Sequence, residues 1–228
     1  MSRNIREPFH KVDTWVFDLD NTLYSEECDL FAQIDVRMGE FLTSHLKVDL
    51  VEARRVQKQY YHEYGTTLAG LMLNDGVDPA DFLHHVHDID VSVIPPSPEL
   101  SGFLGHLPGR KFIYTNGSDQ HAGNVMTRLG VAHHFDGVFD IVAADYQPKP
   151  ARSAFDAFLA RFNIDPASAV MVEDLPQNLE PAHDLGMVTV LIRTDRVRER
   201  HGVVDESQDH IHHVSPDLIS WFEGIFEA

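Results

Sequence analysis

The feature that most constrains the fold is a series of short apolar runs, each of which ends in polar residues. The first run, TWVFDLD from Thr14, is apolar and aromatic until two aspartates end it. A strand buried on both faces of a parallel sheet has this character, so we expect a strand whose carboxyl end carries Asp18 and Asp20. Four further candidate strands follow, namely KFIYTN from Lys111, VFDIVAA from Val138, AVMVED from Ala169 and VTVLIR from Val188.

Segments of helical length separate these candidate strands. They are SDQHAGNVMTRLG ending at Gly130, ARSAFDAFLARF from Ala151, and PQNLEPAHDLG ending at Gly186. Two of them end in Gly after Leu, as a left-handed helix C-cap requires. Strands that alternate with helices predict an α/β fold with right-handed crossovers and a parallel sheet covered on both faces. Residues 196 to 214 are predicted to form a polar loop.

One stretch, from Glu26 to about Leu107, breaks this alternation, because it has helical patterns and no convincing strand. CDLFAQIDVRMGEFLTSHL, DLVEARRVQKQYYHEYG and DPADFLHHVHDID each predict a helix, and Asp78 before Pro79 is a favourable start for the last. The proline-rich VIPPSPEL predicts a linker back to the sheet. We therefore predict a helical domain over residues 25–95, inserted after the first strand into a core formed by residues 1–24 and 96–228.

The charge excludes some classes of partner. The chain has 36 Asp and Glu against 18 Lys and Arg, which gives a formal net charge of −18. This excess, without a basic run, argues against nucleic-acid polymers and acidic membranes as partners. Cys28 is the only cysteine, which excludes an intramolecular disulfide. With no apolar stretch of about 18 residues, the expected location is the cytoplasm.

Polar side chains collect at the carboxyl ends of the candidate strands, where open parallel sheets bind ligands. They are Asp18 and Asp20, Thr115 and Asn116, Lys149 in QPKP, and Glu173 with Asp174. Several carboxylates in a small volume need a positive charge to neutralise them, and oxygen ligands suit a hard cation such as Mg²⁺. Because Mg²⁺ usually keeps water and phosphate oxygens as ligands, the cluster predicts a bound phosphate as well.

These residue types fit phosphoryl-transfer chemistry. A carboxylate that attacks phosphorus forms an aspartyl-phosphate, and a second carboxylate two residues away can give a proton to the leaving oxygen. The Thr115 hydroxyl and the Lys149 ammonium, with backbone N–H groups near Asn116 and Gly117, can hold the phosphoryl oxygens.

Four segments carry a resemblance to the haloacid dehalogenase (HAD) superfamily of phosphohydrolases. They are DLDNTLY at residues 18–24, YTNG at 114–117, PKP at 148–150 and VEDLPQN at 172–178, in the family's order. The resemblance implies a Rossmann-like α/β core with a helical cap of the C1 type inserted after the first strand.

The same resemblance implies roles for individual residues. Asp18 would be the nucleophile and a Mg²⁺ ligand, and Asp20 the general acid and base that also lends its backbone carbonyl to the metal. Thr115 would bind phosphate, Lys149 would neutralise the nucleophile and the phosphate, and Asp174 would ligate the metal. Glu173 is a weaker candidate, acting through water. Leu175 departs from the pattern, since many relatives carry serine there, which puts one supporting hydrogen bond in question.

Two other interpretations of these patterns are weaker. A lone D-x-D also begins calcium loops and caps helices, but Leu23 stands where an EF-hand requires Gly. His84 and His87 have a spacing compatible with zinc on a helix, yet no acidic or cysteine ligand pattern frames them. We expect these histidines to be solvated.

The helical insertion suggests the substrate class, because a cap that excludes water suits small phosphorylated metabolites. The segment QYYHEYGTTLAGL either packs its tyrosines within the cap or presents Tyr60 and Tyr64 to a planar base. It resembles the cap of pyrimidine 5′-nucleotidase-type HAD proteins, which implies a nucleoside 5′-monophosphate, with a pyrimidine favoured. The alternatives are a hydrolase for a sugar phosphate or phosphoglycolate, and a non-catalytic binding or regulatory protein. A dehalogenase is disfavoured because carbon–halogen chemistry does not need the proton-transfer group of Asp20.

Overall fold

The computed structural model describes residues 9–193 and 208–226, and a six-stranded parallel sheet lies at its centre. The strands are β1 (Thr14–Phe17), β2 (Arg110–Tyr114), β3 (Gly137–Phe139), β4 (Ala169–Glu173), β5 (Val188–Ile192) and β6 (His213–Ser215). Their order is β3-β2-β1-β4-β5-β6, and every neighbouring pair is parallel. The carboxyl ends therefore lie along one edge, and the predicted α/β Rossmann-like fold is confirmed.

The helices follow the order of the sequence patterns. They are α1 (Leu30–Leu46), α2 (Leu50–Tyr64), α3 (Thr67–Asp75), α4 (Pro79–Val86), α5 (Pro98–His106), α6 (Asp119–Leu129), α7 (Arg152–Phe162), α8 (Pro176–Asp184) and α9 (Leu218–Ile225). Both faces of the sheet are covered. Trp15 and Phe17 of β1 pack in a core with α5, α6 and α9, whereas Val16 points to the opposite core with α7 and α8. This burial on both sides explains the unbroken apolar run of β1.

Helices α1 to α4 form an insertion between β1 and β2 that has its own apolar core. Leu42, Leu71 and Phe82 are buried in that core. Three helix starts have side-chain caps, since the side-chain oxygens of Asp49, Thr66 and Asp78 accept hydrogen bonds from backbone N–H groups of α2, α3 and α4. The helical cap predicted after the first strand is therefore present as this insertion, while its limits at residues 25 and 95 stay a prediction.

The third strand is shorter than predicted. VFDIVAA continues as a strand only to Phe139, because the Asp140 carboxylate accepts hydrogen bonds from the backbone of Asp119 and Ala143 and so starts a turn. Asp145 and Tyr146 then adopt positive φ angles of 51° and 58°. Lys149 follows three residues after Tyr146.

Three other elements differ from the sequence patterns. The predicted linker 93–100 runs into α5, because the Ser97 hydroxyl caps the Leu100 N–H. Residues 67–75 form α3, which was not predicted as a separate helix. The predicted polar loop 196–214 includes the start of β6, which pairs with β5, and its residues 196–207 lie outside the described residues. Among the described helices, none is both long and apolar enough to cross a membrane.

Gly109, which precedes β2, permits a close approach of two chain segments. Its φ is 74°, and a Cβ atom there would overlap the carbonyl oxygen of Asp13, which already accepts a hydrogen bond from Arg110. We expect Gly109→Ala to lower the free energy of unfolding by at least about 2 kcal/mol, measured by urea denaturation. Gly123→Ala in α6 is the matched control, because a Cβ there meets nothing within 4 Å. It should raise stability by about 0.5–1 kcal/mol, and equal effects of the two substitutions would contradict the packing argument.

Candidate active site

A buried lysine lies at the centre of the site. The Lys149 ammonium donates hydrogen bonds to Asp18 Oδ1 at 2.6 Å, to Glu173 Oε2 at 2.6 Å and to the carbonyl oxygen of Tyr114 at 2.9 Å. An ammonium has three N–H donors, so these three hydrogen bonds use all of them. The acceptors lie in β2, in β4 and directly after β1. Lys149 is only 3% exposed. The structure thus brings together the charged residues that the motifs predicted.

Asn116 supports the main chain of Lys149. Its Oδ1 accepts the Lys149 N–H at 2.8 Å, and its Nδ2 donates to the Lys149 carbonyl at 3.3 Å. Both ends of the amide are therefore used within the protein. The sequence predicted Asn116 as a substrate-binding residue, whereas these contacts give its side chain a role in holding the lysine.

Three buried carboxylates could hold a metal ion. Oxygens of Asp18, Glu173 and Asp174 all lie within 4.8 Å of one another, and among the described residues Lys149 is the only cation that forms ion pairs with this group. Burial and the nearby Glu173 charge raise the pKa of Asp18 to about 7. Burial, Glu173 and Asp18 raise the pKa of Asp174 well above its usual value. Negative charge therefore exceeds positive charge here, and an all-oxygen donor set fits a hard divalent cation such as Mg²⁺.

Asp20 lies in a different environment from Asp18. Its Oδ1 accepts hydrogen bonds from the Tyr24 hydroxyl at 2.7 Å and from His121 Nε2 at 2.8 Å. Burial alone would raise the pKa of Asp20, but the imidazole charge and these hydrogen bonds outweigh it and lower the pKa to about 2. The environments of the two aspartates of the D-x-D motif thus shift their pKa values in opposite directions.

Thr115 and Gly117 lie beside Asp20. The Gly117 N–H donates to Thr115 Oγ1 at 2.9 Å. A Cβ atom built on Gly117 would lie 3.3 Å from Thr115 Oγ1 and 3.8 Å from Asp20 Oδ2. The Thr22 hydroxyl reaches Asp18 Oδ2 at 3.2 Å. A hydroxyl, a backbone turn and the Asp20 carboxylate therefore surround one small space.

Tyr60 and Tyr64 make their recorded contacts within the insertion. The Tyr60 hydroxyl donates to Asp75 at 2.9 Å, and the two rings meet edge to face with centroids 5.8 Å apart. No recorded contact within the described residues joins either tyrosine to the strand ends. The end of α2 does approach the site, since a Cβ on Gly65 would lie 3.5 Å from Pro148 Cγ. Their binding of substrate stays a prediction.

Sequence reasoning did not single out Tyr24, Thr22 or His121. The sequence pattern could have indicated His121, because it lies on the buried face of α6 with Val125 and Leu129. A titratable side chain on a buried helix face is unusual and suggests a specific partner. His87 was expected to be solvated, and this is wrong. Its ring is half-buried and stacks on His121, with centroids 4.5 Å apart and an interplanar angle of 11°. His84 is exposed, as expected.

The chain is similar to known proteins over most of its length. Residues 12–186 match the family of haloacid dehalogenase-like hydrolases. The chain therefore belongs to that family and is a HAD-like hydrolase.

The similar proteins include both a phosphatase and a dehalogenase. Phosphate metabolism protein 8 of Saccharomyces cerevisiae is 28% identical over 203 residues, which cover 81% of this chain and 62% of the yeast protein. The chain thus spans less than two thirds of that relative. A HAD phosphatase from Thermococcus onnurineus superposes with a TM-score of 0.62 at 19% identity, over 93% of this chain and 97% of that one. An L-2-haloacid dehalogenase from Xanthobacter autotrophicus superposes with a TM-score of 0.58 at 13% identity, again over 93% of this chain and 97% of that one. These two structures share the fold.

The raised pKa of Asp18 predicts how stability depends on pH and Mg²⁺. Between the unfolded value near 4 and the folded value of about 7, the folded state binds more protons, so metal-free stability falls as pH rises through this window. Mg²⁺ at about 100 times its Kd stabilises by about 2.7 kcal/mol, roughly 5–10 °C in Tm for a chain of this size. We expect this increment by calorimetry at pH 8 and a smaller one at pH 5.

Asp174→Asn should reduce this increment. Asp156→Asn is the control, because Asp156 is exposed on α7 and pairs only with Arg152 among the described residues. An increment that does not change with pH or with Asp174→Asn would argue against a cation at this cluster.

Proposed function

We propose that the protein is a Mg²⁺-dependent phosphomonoesterase that forms an aspartyl-phosphate on Asp18. The observation that carries this proposal is the pair of carboxylates two residues apart with opposite environments. Asp18 is held by the Lys149 ammonium, whereas Asp20 is held by Tyr24 and His121. One carboxylate is thus placed for nucleophilic attack and the other for proton transfer.

The chemistry proceeds in two steps. In the first, an Asp18 oxygen bonds to phosphorus, the bond from phosphorus to the ester oxygen breaks, and Asp20 gives that oxygen a proton. In the second, a water molecule attacks phosphorus while Asp20 takes a proton from that water. The bond between phosphorus and the Asp18 oxygen breaks, which releases inorganic phosphate and restores the Asp18 carboxylate. His121 and Tyr24 lower the pKa of Asp20 to about 2, so the negative charge of a bound phosphoryl group has to raise that pKa before Asp20 can carry the proton of the first step.

The surrounding residues stabilise the phosphoryl group. The Thr115 hydroxyl lies beside Asp20 and can donate a hydrogen bond to a phosphoryl oxygen, as can backbone N–H groups near Asn116. The Lys149 ammonium favours the ionised form of Asp18. Asp18, Asp174 and the backbone carbonyl of Asp20 would hold Mg²⁺, with Glu173 acting through water, and the ion would supply positive charge to the phosphoryl oxygens.

The substrate that we propose is a small phosphorylated metabolite, specifically a nucleoside 5′-monophosphate with a pyrimidine base. Support comes from the insertion, whose α2 ends beside Pro148 and whose core includes Ile141 from the loop that precedes Lys149. The Tyr60–Tyr64 pair lies on that same helix and offers aromatic surface for a base. A dehalogenase is less well supported, because carbon–halogen displacement needs no proton transfer to the leaving group. It would therefore not need Asp20 or the hydrogen bonds that Tyr24 and His121 donate to it.

Asp18→Asn tests the nucleophile. We expect it to lower kcat for p-nitrophenyl phosphate by at least about 1,000-fold, because the amide oxygen cannot form the covalent intermediate. Chelation of divalent cations should abolish wild-type activity, and Mg²⁺ should restore it. Asp156→Asn should keep wild-type rates. Mg²⁺-dependent hydrolysis that persists in Asp18→Asn would refute the assignment.

A panel of phosphorylated metabolites tests the substrate. We expect the highest kcat/KM for UMP and CMP, and a clear preference for sugar phosphates or phosphoglycolate would overturn the nucleotide proposal. Tyr64→Leu should lower kcat/KM for UMP by about 10-fold through lost stacking and leave p-nitrophenyl phosphate unaffected. A wild-type protein that binds these esters but hydrolyses none of them would instead be a binding protein.

A further inference from the structure

We propose that His121 is a positioning residue that fixes the carboxyl group of Asp20, so that Oδ2 alone exchanges the proton with the substrate. This inference rests on the proposed phosphomonoesterase function. It concerns a contact between α6 and the D-x-D motif that the sequence motifs do not contain.

Both recorded donors to Asp20 reach the same oxygen. The Tyr24 hydroxyl and His121 Nε2 donate to Oδ1 at 2.7 and 2.8 Å. Within the described residues, no hydrogen bond is recorded to Oδ2. That oxygen faces Gly117, whose built Cβ would lie 3.8 Å away from it and 3.3 Å from Thr115 Oγ1. The free oxygen is therefore on the side where a phosphate ester would bind.

His121 is itself held from two sides. Its backbone N–H donates to Ser118 Oγ at the start of α6, and its ring stacks on His87, which ends α4. His87 Nδ1 also lies 2.9 Å from Ser118 Oγ. The insertion therefore packs directly against the residue that orients Asp20, and the imidazole has little freedom to rotate.

The remaining nitrogen of His121 supports a role beyond packing. His121 is fully buried, and its Nδ1 has no hydrogen-bond partner among the described residues. Buried polar atoms are nearly always paired, because an unpaired one costs free energy. An apolar side chain would avoid that cost, so the hydrogen bond from Nε2 to Asp20 is the interaction that accounts for a histidine here.

The leaving group of the substrate separates positioning from mere stability. Phenyl phosphate has a poor leaving group that needs a proton, whereas 2,4-dinitrophenolate leaves without one. The parameter to measure is kcat/KM, since it reports only the steps through formation of the aspartyl-phosphate. We expect His121→Ala to lower kcat/KM by about 100-fold for phenyl phosphate, within the range of general acid catalysis, and by less than about 3-fold for the dinitrophenyl ester.

Conservative variants complete the test. His121→Gln keeps a donor near the position of Nε2 and should recover most of the lost rate. Tyr24→Phe removes the second donor to Oδ1 and should show the same dependence on the leaving group to a smaller extent, about 5-fold. His84→Ala is the control, because His84 is exposed on α4. Thermal unfolding of each variant verifies that it is folded.

The outcomes distinguish this inference from the proposed function. An equal loss on both esters in His121→Ala, with no recovery in His121→Gln and no leaving-group dependence in Tyr24→Phe, would overturn the positioning role and leave the phosphomonoesterase intact. Failure of the function itself would appear in the wild type, as a lack of Mg²⁺-dependent hydrolysis or as activity that survives Asp18→Asn.

Discussion

The interaction on which the rest of the site depends is the buried ammonium of Lys149 between Asp18 and Glu173. Buried charges are costly unless they are paired and hydrogen-bonded, and removing one member of a buried pair typically costs about 3–5 kcal/mol. The same ammonium also donates to the Tyr114 carbonyl. One side chain from the loop after β3 thus joins the ends of β1, β2 and β4, and the orientation of Asp18 depends on it.

Negative charge still exceeds positive charge around this lysine, and the pKa values of the carboxyl groups show that ionising them is unfavourable. Those of Asp18 and Asp174 are raised, mainly by burial, although Lys149 acts to lower both. The fold tolerates this cost because β1 and β4 are buried on both faces by two apolar cores. Packing of the sheet therefore holds an acidic cluster that would separate in an open chain, and this is the arrangement that a cation-binding site requires.

Much of the core and of the site could be predicted from local patterns. The continuous apolar run before Asp18 predicts a buried strand, and the carboxyl edge of a parallel sheet then brings Asp18, Lys149 and Asp174 together. The short β3 and the contacts of His121 could not be predicted in this way, because they depend on hydrogen bonds between segments far apart in the chain, such as Asp119 with Asp140 and His121 with Asp20. The start of α5 did have a local signal, since Ser97 before Pro98 is the same kind of helix start as Asp78 before Pro79.

The loop between β3 and Lys149 contacts both the helical insertion and the end of the sheet. Ile141 packs in the apolar core of the insertion, its N–H donates to the Gly117 carbonyl, and its carbonyl accepts from Tyr146. The insertion is continuous in sequence, but its core includes this residue from far along the chain. An exchange of insertions between relatives would therefore have to carry residues 141–148 with the helices, since a transplant cut at the ends of the helical segment alone would lose part of its own packing.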